Sequence, residues 1–163
     1  MDLQTLVAWT TVIGSLAVTL TLVVLIVSIR QNTKAQRVLA VQSLTAAIAA
    51  IDVPAMTSPE LGAALTAVLK DWRTATREQR IVAHYFLFPF FKLLETAWYQ
   101  ERAGVLEPAL WSGWDAMIRV YFHSKGIKEV WWPVRGRTFS PEFQRYLEQT
   151  EPPTVGSLAD LFD

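Results

Sequence analysis

The sequence predicts an all-α protein: a single N-terminal transmembrane helix continuing into a small cytoplasmic helical bundle. Three observations carry this. From residue 6 to residue 29 no side chain bears a formal charge. Beyond that run, apolar residues recur at spacings of three and four, the period of a helical face. The later segments open on Ser-Pro or Thr-x-x-Glu signals, and no window shows strand-like alternation bounded by turns.

The span comes first. Its 24 uncharged residues would rise roughly 36 Å as a helix, enough to cross a hydrocarbon core of about 30 Å. Most of the apolar excess of the chain (52% apolar against 18% charged) lies here. A cleaved signal peptide would need a basic leader, a shorter apolar core and a small-x-small site. Met1, Asp2, Leu3 and Gln4 supply no cation, and Arg30, Gln31 and Asn32 form no such site. Residues 1–30 are therefore expected to be an uncleaved anchor. Arg30, Lys34 and Arg37 follow the span while Asp2 alone precedes it, so the positive-inside rule places the N-terminus outside and the C-terminal part in the cytoplasm. The absence of cysteine fits a reducing compartment. Trp9 suits the headgroup level near the outer end.

Residues 31–52 are expected to form a helical stalk. Val38, Val41, Leu44, Ile48 and Ile51 share one face, no Gly or Pro interrupts them, and the helix should end near Asp52, ahead of Pro54. A cytoplasmic helical domain follows over 53–150. In "TSPEL", Ser58 can cap a helix with Pro59 at its first position, or Thr57 can pair with Glu60 as a capping box. Leu61, Leu65, Val68, Leu69 and Trp72 would be its buried face. The next helix should run from near Thr76 to Arg102, kinked or broken at Pro89 and stopped at Gly104. Its stretch "IVAHYFLFPFF" is apolar nearly all round, which marks a central core helix too short to cross a bilayer.

A further helix is expected from Pro108 to Gly126, with Trp111, Trp114, Ile118, Tyr121 and Phe122 on one face and Asp115 paired to Arg119 four residues on. "IKEVWWPVRGR" reads as a short helical turn ended by Pro133 and Gly136. "SPEFQRYLEQ" has Ser140 as cap and Pro141 in the first turn. Residues 151–163 are expected to be a flexible tail in which Leu158, Leu161 and Phe162 would share one helical turn as a docking peptide.

Residues able to carry chemistry are few. Without cysteine there is no thiol nucleophile or thiolate metal site. His84 and His123 lie on separate helices, and His84 is expected to be a satisfied core-edge residue rather than a ligand. At the end of its helix, His123 is suited to carry a charge favoured by the dipole. No glycine-rich phosphate loop or nucleophile elbow occurs, so neither catalysis nor a cofactor or small-molecule substrate is expected. Removing Asp2 and Arg30 from the 15 acidic and 15 basic side chains leaves 14 of each, a neutral domain unsuited to nucleic acid.

Two surfaces stand out. Thr10, Gly14, Ala17, Thr21 and Ser28 form a narrow seam of small and hydroxyl residues along the span, suited to packing against a second helix. Lys125, Lys128, Arg135 and Arg137, interleaved with Trp131 and Trp132, suit anionic headgroups or a partner.

"SPELGAALTAVL", "LLETAWYQERAGVLEPALWSGWDAMI" and "WWPVRGRTFSPEFQRYLE", in this order, resemble a family of uncharacterised bacterial proteins. The likeness covers roughly residues 36–148, with Trp114, Trp132, Arg135, Phe139 and Phe143 its most specific part. It implies one N-terminal span, a helical cytoplasmic domain of unknown function and a bacterial source, and it brings no catalytic residues. The expectation is thus an interaction protein at the bacterial inner membrane, an accessory or regulatory subunit or a self-assembling scaffold. It would contact lipid and, through the span, itself or another membrane protein. The alternative is a homo-oligomeric pore lined by Thr10, Thr21 and Ser28.

Overall fold

The computed structural model describes residues 2–154, without the side chains of residues 5, 6, 8, 10, 11 and 56. Among these residues every regular element is helical: α1 Leu3–Thr57, α2 Pro59–Lys70, α3 Arg77–Arg102, α4 Pro108–Phe122, a π-helical turn Ile127–Trp131, α5 Trp132–Arg135, a 3₁₀ turn Gly136–Thr138 and α6 Pro141–Gln149. The protein is all-α. It divides into two compact units, with the boundary between Leu39 and Ala40. The stretch read as a stalk straddles that boundary.

In the first unit the apolar side chains of α1 face outward: Leu16 and Leu20 are 65% and 66% exposed. Among the described residues α1 is the one helix long and apolar enough to cross a membrane, over Val12–Ala55. Its uncharged part ends at Ile29, and Arg30, Lys34 and Arg37 follow on the same helix.

The second unit begins with the later turns of α1. Leu44 is 2% exposed and meets Leu93, Ala97 and Leu106, while Ile48, Ile51 and Ala55 lean on the main core. That packing explains why the helix does not stop near Asp52. It continues through Pro54 to Thr57, whose hydroxyl donates back to the Val53 carbonyl at 3.0 Å. The proline removes one helical donor, and the packing of Ile51 and Ala55 against the core works against that loss. α3 likewise runs unbroken through Pro89.

Helix starts follow the sequence signals. Ser58 accepts from Leu61 N–H at 3.2 Å with Pro59 behind it, so the serine cap forms rather than the Thr57–Glu60 box. Thr76 and Gln79 form a reciprocal capping box at the head of α3. At the tail of α3, Gly104 adopts φ +68°; its N–H donates to Glu101 O at 2.8 Å, and Val105 N–H to Gln100 O at 2.9 Å. This is a Schellman cap, which needs the left-handed conformation glycine provides. Ser140 caps α6.

Besides the end of α1, two helix ends differ from those expected. α4 ends at Phe122, not Gly126, and Gly126 has φ −65°. A Cβ there would lie 1.6 Å from the Val68 carbonyl oxygen, so this glycine serves close backbone approach to the end of α2. Pro133 does not end its turn; it sits in the first turn of α5, where a missing N–H costs nothing.

The core is aromatic. Phe90, Phe91, Phe122 and Phe143 are almost completely buried along with Ile118, Ile127 and Leu147. Trp132 stacks on Phe139 with centroids 5.2 Å apart, and Phe91 lies 5.2 Å from Trp131. Each such side chain contributes about 1.5–3 kcal/mol by burial, with edge and stacking contacts adding to it. One polar strut ties α6 to α3. Buried Glu95 accepts from Ser140 N–H at 2.7 Å and from Lys92 Nζ at 2.8 Å, and Lys92 also donates to Thr138 O at 2.7 Å. Burial disfavours the Glu95 charge, but the donors from Lys92 and Ser140 outweigh it and hold its pKa below the ordinary value.

Candidate functional site

Along the span, Gly14 has open space where a Cβ would be, and the Thr21 hydroxyl donates to the Ala17 carbonyl at 2.8 Å. Thr21 is therefore satisfied within its own helix, and the seam offers mainly close approach at Gly14 and Ala17. Ser28 is exposed. The side chain of Thr10 lies outside the described ones, and so do Leu158, Leu161 and Phe162 of the tail.

The basic segment is not the surface its sequence suggested. Trp131 and Trp132 are 3% and 6% exposed and belong to the core, so neither tryptophan is placed to meet lipid or a partner. Their aromatic neighbours explain this: Phe91, Phe122 and Phe139 surround them and remove them from water. The cations remain outside. Lys125 pairs with Asp71 at 2.9 Å, Lys128 donates to His123 Nδ1 at 3.1 Å and lies over Phe122, and Arg135 and Arg137 are exposed.

Both histidines are wired as neutral rings. Trp131 Nε1 donates to His84 Nδ1 at 3.2 Å, as expected of a satisfied core-edge residue. Burial and the nearby Arg135 hold the His84 pKa below its ordinary value. His123 accepts from Lys128 and reaches Thr150 Oγ1 with Nε2 at 3.0 Å; Thr150 Oγ1 spends its own proton on Leu147 O, so Nε2 carries the hydrogen. Burial, then Lys128, lower its pKa too. This differs from the charged His123 expected at the helix end: partial burial and the neighbouring Lys128 ammonium both work against a proton on the ring. Among the described residues no three His, Asp or Glu gather as a metal site.

The surface that sequence reasoning missed is on α3. Within the stretch read as all-core, Ile81, Val82, Tyr85 and Pro89 are exposed, Tyr85 by 75%. They recur at helical spacing and make an apolar stripe. Val82, Tyr85 and Pro89 form one wall of a cleft of about 310 Å³ whose other walls are Ala50, Ile51 and Pro54 of α1 and Leu61 of α2. Pro54 and Pro89 lack the N–H groups that in a regular helix would bond the carbonyls of Ala50 and Tyr85. A second cleft, about 210 Å³, lies between Trp72, His84, Val130, Trp131, Val134 and Arg135. The available signal was the all-round apolar pattern itself: a helix in a domain this small has too few neighbours to cover every face.

Compared with known proteins, the chain matches no family model, no curated protein and no solved structure.

Proposed function

We propose that this is a membrane-anchored interaction protein, an accessory or regulatory subunit or a self-assembling scaffold, at the bacterial inner membrane with its N-terminus outside and its helical domain in the cytoplasm. The observation that carries the reading is the exposed stripe of Ile81, Val82, Tyr85 and Pro89 beside an open apolar cleft. A contiguous apolar surface of this kind on a domain whose core is otherwise well filled is the mark of a protein contact. The span adds a second contact along Gly14 and Ala17. The filled aromatic core and the neutral, satisfied histidines offer a reaction no obvious chemistry, which weights the reading toward binding.

A photo-crosslinking residue in place of Tyr85, in cells, tests the contact. The expected result is one adduct of discrete mass, lost when Val82→Asp is added, with none from the same residue in place of exposed Glu148. Equal adducts from both positions would sink the reading. Tyr85→Ala is expected to weaken the contact about fivefold or more, since tyrosine is enriched among the interface residues that carry more than about 1 kcal/mol, while stability moves by no more than about 0.5 kcal/mol.

A further inference from the structure

We infer that the second cleft, between the π-helical turn, α5, the turn that follows α2 and the early part of α3, is the docking site for the acidic, apolar segment 157–163 of the same chain. The cleft presents Trp72, Val130 and Val134 as apolar wall and Arg135 at its mouth. Val134 is 70% exposed and the Arg135 side chain faces solvent. Among the described residues no carboxylate pairs with Arg135, although the guanidinium is close enough to His84 to act on it. A half-open apolar slot with an accessible cation fits an apolar peptide that carries carboxylates.

The sequence after α6 has that character. From residue 151 onward it holds Glu151, Asp160 and Asp163 and no basic side chain. Leu158, Leu161 and Phe162 stand within five residues of one another, with Asp160 between the leucines and Asp163 next to the phenylalanine.

Geometry brings the two within reach. Thr150 is held against His123, whose other nitrogen accepts from Lys128 of the π-helical turn. The chain thus leaves the domain beside the turn that supplies Val130 and Trp131 to the cleft. Leu158 lies eight residues beyond Thr150, up to roughly 27 Å of extended chain. Pro152 and Pro153 keep the first part extended and limit the entropy lost on docking. A short tether of this kind gives an effective concentration in the millimolar range, so a contact of only millimolar intrinsic affinity is already populated. The inference does not rest on the partner surface of α3, and either can fail alone.

The chain has no cysteine, so an introduced pair reports without interference. In the full-length protein in mild detergent, Val134→Cys with Leu161→Cys is expected to form an intramolecular disulfide under mild oxidation, several-fold faster than Leu110→Cys with Leu161→Cys. Adding Arg135→Glu should abolish the difference, and adding Asp160→Lys with Asp163→Lys to that variant should restore it. Hydrogen exchange gives a readout without cysteines: replacing Leu158, Leu161 and Phe162 by Ser should raise exchange at residues 130–135 and leave 141–149 unchanged. Equal rates for the two cysteine pairs, or unchanged exchange at 130–135, would overturn the inference. So would a disulfide found only between two molecules, which would make the occupant a second copy. Protection at 130–135 that requires anionic vesicles would also overturn it, in favour of a lipid surface.

Discussion

Replacing Gly126 by Ala should destabilise the helical domain, although the same change is usually benign in helical backbone. Gly126 has φ −65°, a conformation alanine adopts freely. On that ground alone the substitution would stabilise by about 0.4–1 kcal/mol, chiefly through the unfolded chain. The added Cβ, however, would lie 1.6 Å from Val68 O, 2.8 Å from Val68 C and 3.0 Å from Trp72 N. All three are backbone atoms, so no rotamer change relieves the clash, and the end of α2 and the π-helical turn must separate by more than 1 Å. Overpacking costs about 1–3 kcal/mol where side chains can adjust; here it should reach the top of that range. The net loss is about 2 kcal/mol, or about 8 °C in melting temperature for a domain of this size. Gly62→Ala in α2 is the control, because a Cβ there meets nothing within 4 Å, and it should stabilise by about 0.5–1 kcal/mol. Thermal and urea unfolding of the full chain in mild detergent, followed by tryptophan fluorescence, would measure both. A Gly126→Ala protein as stable as Gly62→Ala would refute the close approach of α2 to the turn.

Three further predictions concern stability. The Glu95 pKa is lowered in the folded domain from an ordinary value of 4.5; its contribution is therefore complete above pH 4.5 and lost as pH falls through the folded value, and urea titration at pH 5.5 and pH 3 should show that loss shrink in Glu95→Gln. His84 and His123 are both held below 6.5, so the unfolded chain takes up protons first and stability should fall as pH drops from 7 toward 5. In His84→Asn/His123→Asn that slope should flatten; an unchanged slope would mean the rings are not held neutral. Leu44→Ala should cost about 2–4 kcal/mol by urea unfolding, since Leu44 is 2% exposed against Leu93, Ala97 and Leu106, whereas Leu39→Ala, at a position 62% exposed, should cost under about 0.5 kcal/mol.

Much of the fold was legible because helix ends are written in local chemistry. Ser58-Pro59 and Ser140-Pro141 each satisfy a backbone donor three residues on, so their meaning does not depend on the rest of the chain. The misreadings have the opposite character. Gly126 looks like a helix stop until α2 is seen against it, and Pro133 marks a start or a stop according to what precedes it. Trp131 and Trp132 alternate with cations in sequence, yet a π-helical turn followed by α5 rolls both rings inward and leaves Lys128 and Arg135 outside. The α3 stripe was hidden for a related reason: its periodicity covers every face, and only the placement of α1 and α2 shows which residues stay bare. On the span, the spacing of Gly14, Ala17 and Thr21 was readable, but the Thr21 bond to Ala17 is a rotamer choice that sequence does not dictate.

The native mass of the protein extracted from its own cells in mild detergent tests the central claim most directly. The account predicts a discrete assembly, either a homo-oligomer or a fixed-ratio complex with a second protein, that shifts toward the monomer in Val82→Asp/Tyr85→Asp while the domain still melts cooperatively. Conductance from a homo-oligomer in planar bilayers would assign the assembly to a pore instead. A monomer in the wild-type protein, unchanged by those substitutions, would contradict the account.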